Sequence, residues 1–593
     1  MPSAARARKT DRDAVQSLEV LAHEVAQEPE QPTQFATLVR HFLERYFNTE
    51  TSSADGDAKT RLVQVACALG IPPLLVTFYL YTPYHLPHFV RAYWAQAGDH
   101  YFYVVYAFAA MGILTIFEWD LLFPDLLDVL VLTSLPVRGG RLFRARVTAI
   151  VILLGAALFD ANILSTVVLP AAVDPPNLFK FWLAHVIAVG MSGVFGAASF
   201  LALEGTLLAL LGDRLFRKIS LWLQGFSVMA LLAALFAYPV VAGALHQLLH
   251  SQNAVWFPPF WSLGIYQRIL DGPSTQPIFA SLAHIGVLAT VAVTAVAVAA
   301  YPLAWLRRTR GLVEGAVRRN RRNLTLAPLD GVLHTTLART PASRAVWHFI
   351  SQNLLRVPRC RMVLVMVGGA GAALIFATVV RLRLVPGHVS LVFSPEGLRA
   401  TVPIVVFWTV SGLRSTFLAP ADQRARWIFR VALGKAGLAQ MQAAKRWVLA
   451  WTLALALAAA AWACPAQPAI HHNARFAVDQ ALVAVALSVL LTDAFFLSVK
   501  TIPFTGIKPN SATNFALLLI PYVGFFPAIV MFTVALEPVI EASFTNIGIA
   551  ASIACAAHII LRQIHRSRIA EAMQLIDADD DEEEFPQRLG LRY

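Results

Sequence analysis

Long apolar runs separated by short polar breaks recur along the whole chain. A hydrocarbon core about 30 Å thick takes roughly 20 apolar residues per helix. Runs of about that length lie at 62–82, 101–118, 147–169, 181–211, 220–247, 277–305, 362–382, 401–418, 447–464, 477–499, 513–536 and 543–561. The pattern predicts an all-α, polytopic membrane protein with about twelve transmembrane helices. Six runs precede and six follow the basic segment 306–361, so the chain divides into two six-helix halves, and an even number per half gives both the same orientation.

Lysine and arginine fix the expected direction. With the N-terminus inside, 41 of the 48 fall in cytoplasmic segments, and short loops keep their positive charge on that side. The remaining seven are Arg91, Lys180, Arg268, Arg399 and Arg475 in outer loops, with Arg381 and Arg383 at the outer end of the seventh span. Both termini are therefore expected in the cytoplasm. The expected organisation is a disordered N-terminus (1–33), a first half (34–305), a basic linker (306–346), a second half (347–561) and a tail (562–593) whose acidic run DADDDEEE is solvated.

Two features repeat between the halves. Before the first span, 34–47 places Phe35, Leu38, Val39, Phe42, Leu43 and Tyr46 at helical spacing, and before the seventh, 347–357 does so with Trp347, Ile350, Leu354 and Leu355. Both read as amphipathic helices in the cytoplasmic interface. After the second span of each half, 119–146 and 417–446 begin with Pro124-Asp125 and with Pro420 and Asp422, continue through an apolar stretch too short to span, and end in basic residues. A re-entrant or surface-lying elbow fits both.

Composition agrees with a bilayer as solvent: of 593 residues 57% are hydrophobic and 14% charged, with a mean hydropathy of +0.60. The net charge of +12 does not imply a nucleic-acid partner, because the basic residues lie in loops between apolar runs. Four cysteines give no disulfide framework and no C-x-x-C metal site. The polar first 33 residues hold no apolar signal segment, so the first span is expected to direct its own insertion.

Catalytic signatures are absent. Gly434-Lys435 is followed by Ala436 and lacks the earlier glycine of a phosphate-binding loop, and no H-E-x-x-H or G-x-S-x-G pattern occurs. No cofactor or metal is expected: His85, His88 and His100, and His471-His472, read as loop histidines. The Trp256–Gln267 segment, with Pro258-Pro259, reads as a re-entrant or surface turn in an outer aromatic belt. Asp160, Glu204 and Asp493 carry more information, since an acid at a helix centre costs roughly 2.5–3.5 kcal/mol and must face a partner or a wet cavity. Glu204 and Asp493 occupy corresponding spans and are expected to line a central pathway or the boundary between halves. Asp160 has Asn162, Ser165 and Thr166 close in sequence to satisfy it. Gly190–Ala198 and Gly368–Ala373 are expected to permit close helix crossing.

The order of interfacial helix, span, outer loop, span, elbow ending in LTSLPVRGGRLFRAR, and four further spans resembles the type 2 ABC exporter permeases. The resemblance is carried best by 123–146, where Asp125, Asp128, Leu135-Pro136 and Arg144 stand; the second elbow lacks the Leu-Pro-Val turn. It implies two fused six-span units in a bacterial inner membrane, driven by separate cytoplasmic ATPase subunits, with no catalysis by the chain itself. Coupling would then fall to Asp125, Asp128, Pro136, Arg138 and Arg144, with Pro420, Asp422 and Arg424 in the second half. Two other readings compete: an ion-coupled carrier of the major-facilitator type, whose G-x-x-x-D-R-x-G-R loop is absent, and a membrane-embedded transferase acting on lipid carriers, for which Asp120, Asp125 and Asp128 would be the acids.

Overall fold

The computed structural model describes residues 33–47, 57–88, 90–119, 123, 137–315, 339–385, 388–418, 438–464, 474–497, 504 and 524–579. The first half runs α1 (Gln34–Phe47), α2 (Asp57–Tyr84), α3 (Tyr93–Phe117), α4 (Gly139–Val173), α5 (Leu178–Phe236), the short α6 (Tyr238–Gly243) and α7 (Leu245–Leu249), α8 (Pro258–Asp271) and α9 (Pro277–Gly315). The second runs α10 (Pro341–Arg356), α11 (Pro358–Val379), a hairpin of β1 (Val380–Val385) and β2 (His388–Phe393), then α12 (Pro395–Leu418), α13 (Leu438–Ala463), α14 (Ala474–Phe495), α15 (Phe526–Glu541) and α16 (Phe544–Asp579).

Among the described residues ten helices are long and apolar enough to cross a membrane, making this a multi-pass α-helical membrane protein. They match the expected spans except the eighth and eleventh. The eighth is a helix all the same: α12 buries Val402, Ile404, Val406, Phe407 and Val410 almost completely, along with Thr401, Ser411 and Thr416. It is less apolar because it faces protein, where a hydroxyl can find a partner, rather than acyl chains. Of the eleventh, 526–541 is α15, while 513–523 lies outside the described residues.

One helix per half forms the centre. In the first it is α3, where Tyr101, Tyr103, Val104, Val105 and Ala107 are buried against α5 and α8. In the second it is α12, ringed by α11, α13, α14 and α15. α3 is the second candidate span of its half, and α12 holds the corresponding place in the order of the other. The glycine and alanine runs act as expected: a Cβ on Gly196 of α5 would sit 2.5 Å from the Phe108 carbonyl oxygen of α3. The halves meet where α5 crosses α11, and a Cβ on Gly369 would lie 3.3 Å from the Gly225 carbonyl oxygen.

Several expectations are revised in detail. The fourth and fifth spans form one helical segment, α5, broken only at Gly212, whose φ of 72° and ψ of 165° suit glycine best. The fifth span stops at Phe236 instead of reaching 247, because Pro239 and Gly243 divide the rest of that apolar run between α6 and α7. Arg381 is not at a helix end. Val380–Val385 pairs antiparallel with His388–Phe393, with Val380 opposite Phe393. Of Trp256–Gln267, the exposed Trp256 ends a short 3-10 helix, whereas Pro258–Gln267 belongs to the buried α8, packed on α9 so that a Cβ on Gly264 would meet Phe279 O and Ala283 N at 2.8 Å. The last helix runs to Asp579, so the acidic stretch begins inside it. Residues 1–32 and 580–593 lie outside the described residues.

The α3–α5 crossing yields a stability prediction. Gly196→Ala is expected to lower the thermal midpoint of the detergent-purified protein, at a cost of about 1–3 kcal/mol, since a backbone carbonyl cannot rotate away as a side chain can. Gly190→Ala, where a Cβ meets nothing within 4 Å, should leave the midpoint unchanged.

Candidate functional site

The described parts of the two elbows have a common frame. In the first half Leu38 and Phe42 of α1 pack on Ala145 and Ala149 of α4. Arg146 Nη2 donates to the Phe123 carbonyl (2.8 Å), tying the exit of the elbow to its entry. Its guanidinium lies 5.1 Å from the Phe42 ring and 5.8 Å from the Trp305 ring. In the second half Trp447 of α13 takes the same position: its Nε1 donates to Ser351 Oγ of α10 (3.0 Å), and its ring lies 6.1 Å from Trp347 and 6.2 Å from Phe417. In both halves, then, the amphipathic helix grips the start of the third span where the elbow rejoins it.

A cavity of about 500 Å³ opens beside the first of these frames, lined by Phe35, Arg141, Phe143, Arg144, Val147 and Thr148. Arg138 precedes α4 as its N-cap, and the exposed Arg144 donates to Gly140 O (3.3 Å). Asp125, Asp128, Pro136, Pro420, Asp422 and Arg424 lie outside the described residues, as does Asp120. Glu118, which follows the end of α3, is lifted by burial to about 7.

The three intramembrane acids sit in different surroundings. Asp493 of α14 is buried and doubly paired, with Lys445 Nζ of α13 at 2.6 Å and His558 Nδ1 of α16 at 2.5 Å. Glu204 is also buried, and its neighbour Gly205 packs on Ala300 and Tyr301 of α9. Asp493 is thus paired with helices of its own half. Asp160 is half-buried beside Gly70 of α2, with no hydrogen bond to Oδ2 among the described residues. Its expected partners serve other groups: Asn162 donates to Leu158 O (2.6 Å), and Ser165 donates to Asn162 O (2.9 Å).

Two further polar centres escape the sequence reading, and both lie at helix ends. In the first half Arg91 clasps both oxygens of Asp99, with Nη2 to Oδ1 at 2.6 Å, and Tyr84 Oη donates to Oδ2 (2.9 Å). Its hydrogen bonds to Asp99 push the Arg91 pKa up. Next to Asp99, His100 stacks on Tyr266 of α8 at 4.3 Å, with Gln267 Nε2 3.1 Å from its Nδ1. His185 of α5 joins Tyr266 Oη (3.1 Å) to Ser165 Oγ (3.3 Å). His100 is accordingly a buried interhelix residue and not a loop histidine, because α3 begins eight residues before the expected span.

In the second half Arg399 Nη2 of α12 donates to Glu541 Oε2 (2.8 Å), and Nη1 lies 3.8 Å from Glu537 Oε2, both acids on α15. Gln480 Nε2 of α14 donates to the same Glu537 oxygen (2.8 Å). Asp479, one residue earlier, is fully buried. Apolar runs put Arg399 and Glu537 in loops because such a run ends at its first charge, whereas the helix continues another turn.

No protein-family model, no curated protein and no solved structure matches this chain. Any functional reading therefore rests on the residues themselves.

The Lys445–Asp493 pair generates a second prediction. Removing one partner of a buried ion pair costs about 3–5 kcal/mol, while removing both is close to neutral. Asp493→Asn and Lys445→Met are each expected to lower the thermal midpoint clearly, and the double variant should recover most of that loss.

Proposed function

We propose that this chain is the membrane permease of an ATP-driven exporter, two six-span units fused in one polypeptide and moved by a separate cytoplasmic ATPase. The observation that carries the reading is the clamp present in both halves, α1 on α4 and α10 on α13, each at the exit of an elbow. A push on an elbow braced in this way moves the amphipathic helix and the third span together instead of merely bending a loop. The excess of lysine and arginine in the segments at that end of the bundle supports a cytoplasmic location for it. Termini inside and twelve spans belong to the same reading. The chain itself has no nucleotide-binding loop, so hydrolysis falls to the partner.

In mechanical terms, ATPase closure draws the two elbows together. The third spans then tilt, and the displacement reaches the α5–α11 crossing between halves, where Gly225 and Gly369 let the backbones slide in close contact. The exported substrate would be a lipid, glycan, peptide or drug passing between the halves. A specific observation favours a second reading, the ion-coupled carrier: α14 carries buried ionisable groups at both ends, Asp479 and Asp493, as a proton or ion path would require.

The test is affinity purification of the tagged protein in mild detergent, with mass spectrometry and an ATPase assay of the eluate. An ATPase with a phosphate-binding loop is expected to co-purify and to be lost when Asp125, Asp128 and Arg144 are replaced together. A chain recovered alone, with no ATPase activity, would overturn the exporter reading and favour the ion-coupled one.

A further inference from the structure

Among the described residues, the polar centre at the junction of α12, α14 and α15 holds more carboxylates than cations. Three carboxylates meet there: Asp479, Glu537 and Glu541. Arg399 holds Glu541 and reaches toward Glu537. A further cation close in the chain is the exposed Arg475, whose Nη1 donates to Ala542 O (3.2 Å) and whose guanidinium lies 5.2 Å from the Phe544 ring. Among the described residues, two arginines thus stand against three carboxylates.

α13 and α16, the other helices packed on α14, turn Lys445, His558 and His565 toward it. They gather around Asp493, about 21 Å along α14 from Asp479 at 1.5 Å per residue.

Hydrogen bonding shows the same imbalance. Both oxygens of Asp479, Glu537 Oε1 and the Gln480 amide oxygen are buried and have no donor among the described residues. Asp479, Gln480 and Glu537 are all 0% exposed. Arg399 Nη1, also without a hydrogen bond among the described residues, is the one spare donor group they place there. Among the described residues, then, the centre has several idle acceptors and fewer cations than carboxylates. An ionised carboxylate buried without a donor is far costlier than the neutral acid.

We propose that Asp479 and Glu537 form a proton-binding site that holds one proton at neutral pH. The acid O–H supplies the missing donor and cancels the excess charge. Loss of the proton leaves a net negative charge between α12, α14 and α15, which is relieved when these helices part and water enters. The site belongs to the second half alone and holds whether or not an ATPase drives the chain.

Infrared spectroscopy of the purified full-length protein in lipid nanodiscs reads the proton directly. At neutral pH a carboxylic-acid carbonyl band, shifted by deuterium exchange, is expected. It should lose one group's intensity in Asp479→Asn and equally in Glu537→Gln, since either change restores charge balance. Both are compared in a Glu118→Gln background, because Glu118 protonates up to about 7. Thermal melting supplies the second readout. A group protonated only in the fold stabilises it at low pH and loses that effect as pH rises. The parent should therefore lose stability with rising pH, and Asp479→Asn should not. A band unchanged in both variants overturns the proposal. So does melting that responds to sodium at fixed pH and not to pH, which would put a metal cation in the proton's place.

Discussion

A charge in hydrocarbon must be neutralised by something the protein brings with it, and this requirement orders the whole structure. Water supplies little help at membrane depth, so a charged group there is stable chiefly at a helix–helix contact where a partner stands opposite. Arg91 with Asp99, Lys445 with Asp493 and Arg399 with Glu541 are such contacts. Each joins different segments of one half. Charge pairing thus holds each half together internally, whereas the boundary between halves at α5 and α11 is made of small residues and aliphatic side chains. A bundle built in this way is stiff within each unit and freer between them.

The two halves follow one plan to different depths. The clamp is common: a helix lying across the start of the third span, with an aromatic or cationic side chain reaching back to the elbow's first residues. Its chemistry differs, since Arg146 bonds a backbone carbonyl where Trp447 bonds a serine hydroxyl. At the opposite end the plans diverge further. The first half is sealed there by aromatic contacts, His100 stacked on Tyr266 and Tyr103 edge-on to His185, with Asp99 held by Arg91 and Asp271 bonded by Tyr93. The second half has three carboxylates in the equivalent region and a β-hairpin that joins α11 to α12. Whatever asymmetry the chain has in function is to be sought at that end.

The sequence is most legible where side chains meet lipid. Residues such as Phe159, Val167, Leu288 and Ile553 remain exposed because acyl chains cover them, and they make the apolar runs that mark the spans. It is less legible where side chains meet each other. α12, whose apolar run is legible at 401–418, contains Thr401, Ser411 and Thr416 and is less apolar than the ten candidate spans although it is the core of its half, because interior helices tolerate hydroxyls. Apolar runs also understate helix length: α3 begins at Tyr93 and α15 ends at Glu541, and the charged turns they add are where Asp99, His100, Glu537 and Glu541 lie. The amphipathic helix at 34–47 is legible because Leu38 and Phe42 recur at helical spacing. Its partner, Ala145 and Ala149 on α4, leaves no trace in periodicity, since two alanines are unremarkable in any span.

The clamp also bears on how the chain is made. α1 leaves the ribosome about a hundred residues ahead of the surface it grips on α4, and α10 likewise precedes α13 by two spans. At roughly 5–20 residues per second, α1 must wait on the order of 5–20 s for its partner to be inserted. Through that interval only its apolar stripe and the lipid headgroups hold it at the membrane surface. Folding of each unit is therefore gated by insertion of its third span: two spans can be threaded into the bilayer early, but the unit locks only when the third one arrives.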